Sequence, residues 1–187
     1  MLIVSSSPRR GGNCDYIANF IANEVRRYDC EPHVIRIYDY RIEPCRGCRY
    51  CLSKNLCTVD DDFTNILLKI LLSTDAMIIV SPVFFNNIPS QLKAFIDRTW
   101  CIRGKLRNKV GGVVVVGRRY GHELAVSVLH SFMLKHEMIL GFRGVTIYGF
   151  NIGDAAKDHQ GLEDVIKLVR RIIELSKIIK RHEVERI

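Results

Sequence analysis

Five short runs of apolar and β-branched residues alternate along this chain with five segments of helical periodicity, and that alternation leaves few folds open. The runs fall at 1–5, 33–38, 76–81, 110–117 and 144–150, and the helical segments at 15–28, 63–72, 91–101, 123–137 and 162–183. The third and fourth runs, AMIIVS and VGGVVVVG, are almost unbroken in apolar side chains. A strand that reads this way is buried on both faces, as in a parallel sheet with helices on either side. The first helical segment sets Ile17, Phe20, Ile21 and Val25 on one stripe, and the last repeats Ile166, Val169, Ile173 and Leu175. Right-handed crossovers between such strands predict an α/β fold: an open, doubly wound, five-stranded parallel sheet in the order 2-1-3-4-5.

The 187 residues are expected to form a single domain over 1–187, large enough to bury a core without disulfide staples. There is no internal repeat, low-complexity tract or Pro/Gly-rich linker. The longest apolar stretch, 66–72, is too short to span a bilayer, and the N-terminus lacks the basic region of a secretory signal. A cytoplasmic protein with no membrane attachment is expected. The net charge of +8 raises the question of nucleic acid. Much of the excess lies between Lys167 and Arg186, on a helix whose other face is apolar, so a solvated helix face is the better reading.

Ligands in open α/β sheets bind beyond the carboxyl ends of the strands, and three loops there are specialised. The first, SSSPRRGGNC from Ser5 to Cys14, joins hydroxyls and glycines to the start of a helix, a setting suited to a phosphate dianion. Arg9 adds a charge-assisted donor. The alternative is a polar loop in which Asn13 caps the helix. The loop is neither GxxxxGK[ST] nor GxGxxG, which argues against a nucleoside triphosphatase or a dinucleotide site. The second, SPVFFNNIPSQLKAFIDR from Ser81 to Arg98, offers two adjacent aromatics to a flat ring, unless they are simply core residues under a loop. Asp97 and Arg98 in it are expected to pair across a helix turn or a subunit interface. The third, GRRYGHE from Gly117 to Glu123, has glycines that permit close backbone approach. His122 is given no chemistry, and no residue is assigned an acid–base role.

Four of the seven cysteines crowd into residues 39–62, an unusually long βα connection, in the pattern Cys45-x2-Cys48-x2-Cys51-x5-Cys57. In a reducing compartment such crowding points to metal before disulfides. Zinc ribbons separate two Cys-x2-Cys knuckles by a dozen residues or more, and a redox pair would leave two cysteines unexplained. Close x2 spacings let the backbone wrap three corners of a cubane, so a [4Fe–4S] cluster is favoured over zinc, empty thiols or disulfides. The isolated Cys14, Cys30 and Cys101 read as buried, inert side chains.

Taken together these motifs resemble the NAD(P)H-dependent FMN reductase superfamily of flavodoxin-like proteins. SSSPRRGGNC resembles its GSPR-x-x-GNT phosphate loop, and SPVFFNNIPSQLKAFIDR its SPVYF-x(3–4)-S-x-x-LK-x-F-x-DR segment. The resemblance implies that Ser7, Arg9 and Asn13 contact the phosphate of FMN. It also implies that Pro82, Val83, Phe84, Phe85 and Asn86, with Gly117, Arg118, Tyr120 and Gly121, border the isoalloxazine. Cys14 stands where that superfamily usually has Thr, and Phe84 where Tyr is common; each departure removes a polar contact. The compact cysteines within such a chain resemble the archaeal and anaerobic iron–sulfur flavoprotein family. That resemblance implies FMN and a [4Fe–4S] cluster on Cys45, Cys48, Cys51 and Cys57 in one subunit. It further implies electron transfer with a small carrier such as ferredoxin or NAD(P)H, and a homodimer or homotetramer. The rival readings are an NAD(P)H-dependent FMN or quinone reductase without a cluster, and a zinc-loop binding module on the same fold.

Overall fold

The computed structural model describes residues 1–184, with side chains to 182, so Arg186 lies outside the described residues. Its elements are β1 (Leu2–Ser5), α1 (Asn13–Arg26), β2 (His33–Arg36), α2 (Tyr50–Lys54), α3 (Leu68–Ser73), β3 (Ala76–Pro82) and α4 (Ser90–Arg98). They continue with β4 (Val110–Gly117), α5 (His122–Lys135), β5 (Ile139–Leu140), β6 (Val145–Tyr148) and α6 (His159–Val184). The sheet is parallel throughout and runs β2-β1-β3-β4. At its far edge β4 pairs with β5 at its start and with β6 at its end. The fold is thus the flavodoxin-like α/β arrangement in the expected order, with its fifth position split between two short strands. The two-residue β5 has too few side chains to leave a periodic trace in the sequence.

Side chains alternate across the pleat. Ile3, Ile78, Val80, Val114 and Val116 face α1 and α6, whereas Leu2, Val4, Met77, Ile79, Val113 and Val115 face α3, α4 and α5. All eight residues of β4 are buried, which is why its sequence shows no polar alternation. Each large side chain buried this way contributes about 1.5–3 kcal/mol. Gly111 and Gly112 let helices close on both faces of β4: a Cβ would lie 2.5 Å from Met133 Sδ at the first and 2.5 Å from Ile172 Cδ1 at the second.

Several elements end earlier than their periodicity suggests. β2 gives way at Ile37 to a 3₁₀ turn, Ile37–Asp39, and α3 is preceded by a wide π turn, Phe63–Leu67. α4 stops at Arg98 and passes into the 3₁₀ turn Thr99–Ile102. The parallel register sets Pro82 beside Val116 and Gly117 beside Tyr148, so the connections after β1, β3, β4 and β6 leave from one edge. No helix among the described residues is long and apolar enough to cross a membrane.

Candidate functional site

At that carboxyl edge the 5–14 connection turns into α1 through Gly11 in a left-handed conformation (φ 65°) and Gly12 at the N-cap. Glycine brings no side chain to cap the helix, so the first-turn amides have neither intrahelical nor side-chain partners. The loop is braced from beneath. Asp15 accepts from Ser5 Oγ at 2.7 Å, from Gly11 N at 2.9 Å and from Arg36 Nε at 3.0 Å, and Arg36 also reaches the Ser7 carbonyl at 3.1 Å. Ser7 is buried, and its Oγ accepts from the Arg9 backbone N–H at 3.2 Å.

A cavity of about 230 Å³ opens above this helix start. Its walls bring together nine of the expected flavin residues: Ser7, Arg9, Asn13, Cys14, Pro82, Val83, Phe84, Gly117 and Arg118. A second cavity, about 480 Å³, shares Val83 and Arg118 with the first and adds Phe85, Asn86 and Tyr120. Gly121, also expected, packs directly under the Asn86 turn, where a Cβ would come within 2.6 Å of Asn86 Cα. Phe84 and Asn87 exchange backbone hydrogen bonds at 2.7 and 2.9 Å, with Phe85 (φ 49°) and Asn86 (φ 61°) left-handed between them. That is a two-residue type I′ hairpin, and a bulky aromatic rarely sits there. Phe85 is fully exposed and Phe84 partly so, which sets aside the core-residue alternative for this pair.

The segment after β6 completes the first cavity with Gly149, Phe150 and Ile152, which the sequence reading did not include. Asn13 ties it down: Nδ2 donates to the Asn151 carbonyl at 2.9 Å, and Oδ1 accepts from Gly153 N at 3.0 Å and Ala155 N at 3.4 Å. Neither the capping alternative nor a free side chain describes Asn13, because its amide is engaged across the cavity. Arg118 lies over the Phe150 ring at 4.5 Å, joining the third loop to the same wall. The signal for this wall was the glycine spacing of GFNIG directly after the last strand.

The 39–62 segment builds a separate cavity of about 420 Å³. All four clustered cysteines line it, with Leu52, Leu56, Val59 and Trp100. All are free thiols; Cys45 and Cys48 are exposed, Cys51 and Cys57 half-buried. The Tyr50 backbone N–H, the Thr58 hydroxyl and nearby Arg46 lower the Cys48 thiol below its usual value, favouring the thiolate a metal needs. Cys101 also borders the cavity, but burial pushes its thiol up to about 11 and its Sγ donates to the Arg98 carbonyl at 3.2 Å. Cys14 and Cys101 are buried, as isolated cysteines should be, whereas Cys30 is half-buried. No three His, Cys, Asp or Glu side chains among the described residues converge on a point as a single bound ion requires. A cubane is wider, since each thiolate meets its own iron, and four thiols around one mostly apolar cavity suit it in donor type and number.

Arg98 does not reach an interface. It is 2% exposed and turns inward from the end of α4, where it pairs with Asp61 at 2.8 and 2.9 Å. Asp97 pairs instead with Lys93 one helical turn earlier, at 2.5 Å. Burial alone would raise the Asp61 carboxyl, but Arg98 and the backbone amides of Glu43 and Thr64 outweigh it and bring the pKa down to about 2.

Residues 1–149, which include the lining of all three cavities except Phe150 and Ile152, match the NADPH-dependent FMN reductase family. An iron–sulfur flavoprotein of Methanocaldococcus jannaschii is 35% identical over 189 residues, covering 95% of this chain and 97% of that protein. An iron–sulfur flavoprotein of Methanosarcina thermophila is 30% identical over 184 residues, covering 96% of each. The chain belongs to the iron–sulfur flavoproteins of the FMN reductase family. As a member of that family it is a redox flavoprotein, an oxidoreductase built around FMN. Solved structures agree in fold. RosB with a bound intermediate superposes with a TM-score of 0.82 at 16% identity, over 96% of this chain and 79% of that one. A flavodoxin from the domain Archaea gives 0.61 at 16% identity, over 94% and 98%. Within this iron–sulfur flavoprotein, the helix start, the Phe84–Asn87 hairpin and the Gly149–Ile152 wall border the cavities at the carboxyl edge of the sheet.

Proposed function

We propose that this flavoprotein passes electrons between a small carrier, such as ferredoxin or NAD(P)H, FMN, and a [4Fe–4S] cluster on Cys45, Cys48, Cys51 and Cys57. The observation that carries the reading is the cysteine cavity: four free thiols around one apolar space, on the same chain as a flavin-sized pair of cavities. When bound, the flavin accepts two electrons and releases them singly, and an iron–sulfur cluster relays them one at a time. The protein's part is binding and orientation. The uncapped first turn of α1, the amides of Gly12, Asn13 and Cys14, Ser7 and the Arg9 side chain hold the phosphate. Asn13 does so through its backbone, its side chain being engaged elsewhere. Pro82, Val83, Phe84, Phe85, Asn86, Gly117, Arg118, Tyr120 and Gly121 border the ring. The chain acts as one domain over 1–187 with the 39–62 segment as its cluster loop.

The fully exposed Phe85, with Tyr120 71% and Phe84 44% exposed, supports a homodimer or homotetramer in which a neighbour covers the flavin edge. Light scattering of the FMN-loaded protein at micromolar concentration is expected to give at least a dimer. The test of the central reading is an anaerobic absorbance spectrum with iron and sulfide analysis. Flavin bands with a broad brown shoulder and about four irons per chain are expected. Flavin bands alone would leave a cluster-free reductase, and a colourless, zinc-containing protein would leave a binding module.

A further inference from the structure

Arg98 makes one contact that the ion pair with Asp61 does not explain. Its Nε–H donates to Cys57 Sγ at 3.2 Å. The other two nitrogens are fully occupied: Nη1 by the Glu43 carbonyl and Asp61, Nη2 by Asp61 and the Thr64 hydroxyl at 2.8–2.9 Å. The guanidinium plane lies over the Phe63 ring at 4.7 Å, and the carboxylate of Asp61 is as deeply buried as Arg98 itself. A planar fork gripped on two corners and stacked on one face has one direction left for its third donor, and that direction is the sulfur of Cys57. Among the described residues no other clustered cysteine has such a partner: the side-chain contact to Cys48 is the Thr58 hydroxyl at 3.6 Å, a weaker and neutral group.

We propose that Arg98 is a positioning residue that sets the reduction potential of the cluster through the Cys57 corner; this rests on the cluster proposed above. Taking up one electron from a low-potential reductant such as dithionite adds one negative charge to the cluster and its four thiolates. No proton need move, because a guanidinium remains protonated. An N–H···S bond from a guanidinium stabilises the more negative, reduced state more than the oxidised one, and hydrogen bonds to the sulfurs are a recognised determinant of cluster potential. Arg98 therefore raises the potential and makes Cys57 inequivalent to the other three corners. α4 starts at Ser90, shortly after the Phe84–Asn87 hairpin, and its last two residues, Asp97 and Arg98, line the cysteine cavity.

The experiment is a mediated redox titration, followed by EPR, of the anaerobically loaded full-length protein and two variants. Arg98→Lys keeps a charge but loses the fork. The double change Arg98→Met with Asp61→Leu removes the pair without leaving a lone buried charge. Both are expected to shift the cluster midpoint downward while FMN content and the FMN midpoint stay at wild-type values. A cluster midpoint unchanged in either loaded variant overturns the proposal. Should neither variant fold, resonance Raman of the wild type labelled with 34S decides: exchange into D2O is expected to shift the Fe–S(Cys) stretch of the Cys57 corner as well as that of Cys48, which Tyr50 N–H and Thr58 contact. Absence of the Cys57 shift overturns the role of the N–H···S bond. A wild-type protein that takes up FMN but no iron fails the underlying cluster reading instead, and is told apart by metal analysis before any titration.

Discussion

Asn13 and Gly153 are 140 residues apart in sequence, yet the Asn13 Oδ1 accepts from the Gly153 backbone N–H at 3.0 Å. With the donation from Asn13 Nδ2 to the Asn151 carbonyl, this closes the cavity at the start of α1 against the segment that follows the last strand. The two walls of that cavity are therefore held to each other rather than independently positioned.

That link separates two effects on flavin affinity. Arg9→Ala is expected to weaken FMN by about 1.5–3 kcal/mol, the loss of one charge-assisted contact, and to leave riboflavin, which has no phosphate, unaffected. Asn13→Ala is expected to weaken FMN and riboflavin alike, because it loosens Phe150 and Ile152. Fluorescence titration of both flavins checks this. Equal affinity of the wild type for FMN and riboflavin would remove the phosphate from this loop.

Changing Cys48 to Ala is expected to abolish the cluster absorbance while leaving FMN bound, since the flavin-lining loops lie outside residues 39–62. Stopped-flow delivery of electrons to a one-electron acceptor is expected to slow. An unchanged rate would make the cluster a staple for the loop.

The Asp61 carboxyl is ordinarily near 3.8 but falls to about 2 in the folded chain. A depressed acid contributes stability that is fully present above its ordinary value and lost as pH falls toward 2, about 2 kcal/mol in all. Asp61→Asn is expected to cost about 3–5 kcal/mol at neutral pH, because it strands a buried guanidinium. It is also expected to flatten stability between pH 4 and 2. Urea midpoints measured across that range test both.

A second acid-sensitive step comes from His136. Thr99 Oγ1 donates its proton to the Ile96 carbonyl at 2.6 Å, so His136 Nε2, 2.8 Å away, must be the donor to Thr99. Nδ1 is then the bare nitrogen, buried with no hydrogen-bond partner among the described residues, and burial holds the imidazole below its usual 6.5. A histidine kept neutral in the fold gives stability that is complete above 6.5 and declines as pH drops below it. His136→Gln keeps a donor for Thr99 and is expected to remove that decline. Thermal unfolding at pH 5 and pH 8 tests it, and an equal pH dependence in the two proteins would discard the assignment.

Much of this was readable in advance for physical reasons. β3 and β4 announced themselves because a strand buried on both faces cannot carry polar alternation. SPVFFNN stood out in the sequence through its two adjacent aromatics at the end of a buried strand, whereas the left-handed hairpin at Phe85 and Asn86 left no such signal. The inward turn of Arg98 was not, since a helix-end arginine shows no periodic signal of where its side chain goes. Gly149, Phe150 and Ile152 were missed because their place depends on Asn13, a contact spanning most of the chain. β5, two residues long, falls below the length at which periodicity exists.

The cysteine segment is also tethered by the polypeptide itself. Arg98 grips Asp61 and the Glu43 carbonyl, Arg41 N donates to Asp62 at 2.7 Å, and Arg103 reaches the Cys51 carbonyl at 2.8 Å. These bonds hold residues 41, 43, 51, 61 and 62 through the polypeptide's own donors and acceptors. Part of the conformational cost of placing Cys51 and Cys57 is therefore met when the chain folds, which would give maturation of the proposed cluster an order in time. On the cluster reading proposed above, the scaffold would come first and metal would arrive at a vestibule already partly shaped for it, so a molecule that had lost its inorganic cargo would keep much of the form needed to be reloaded.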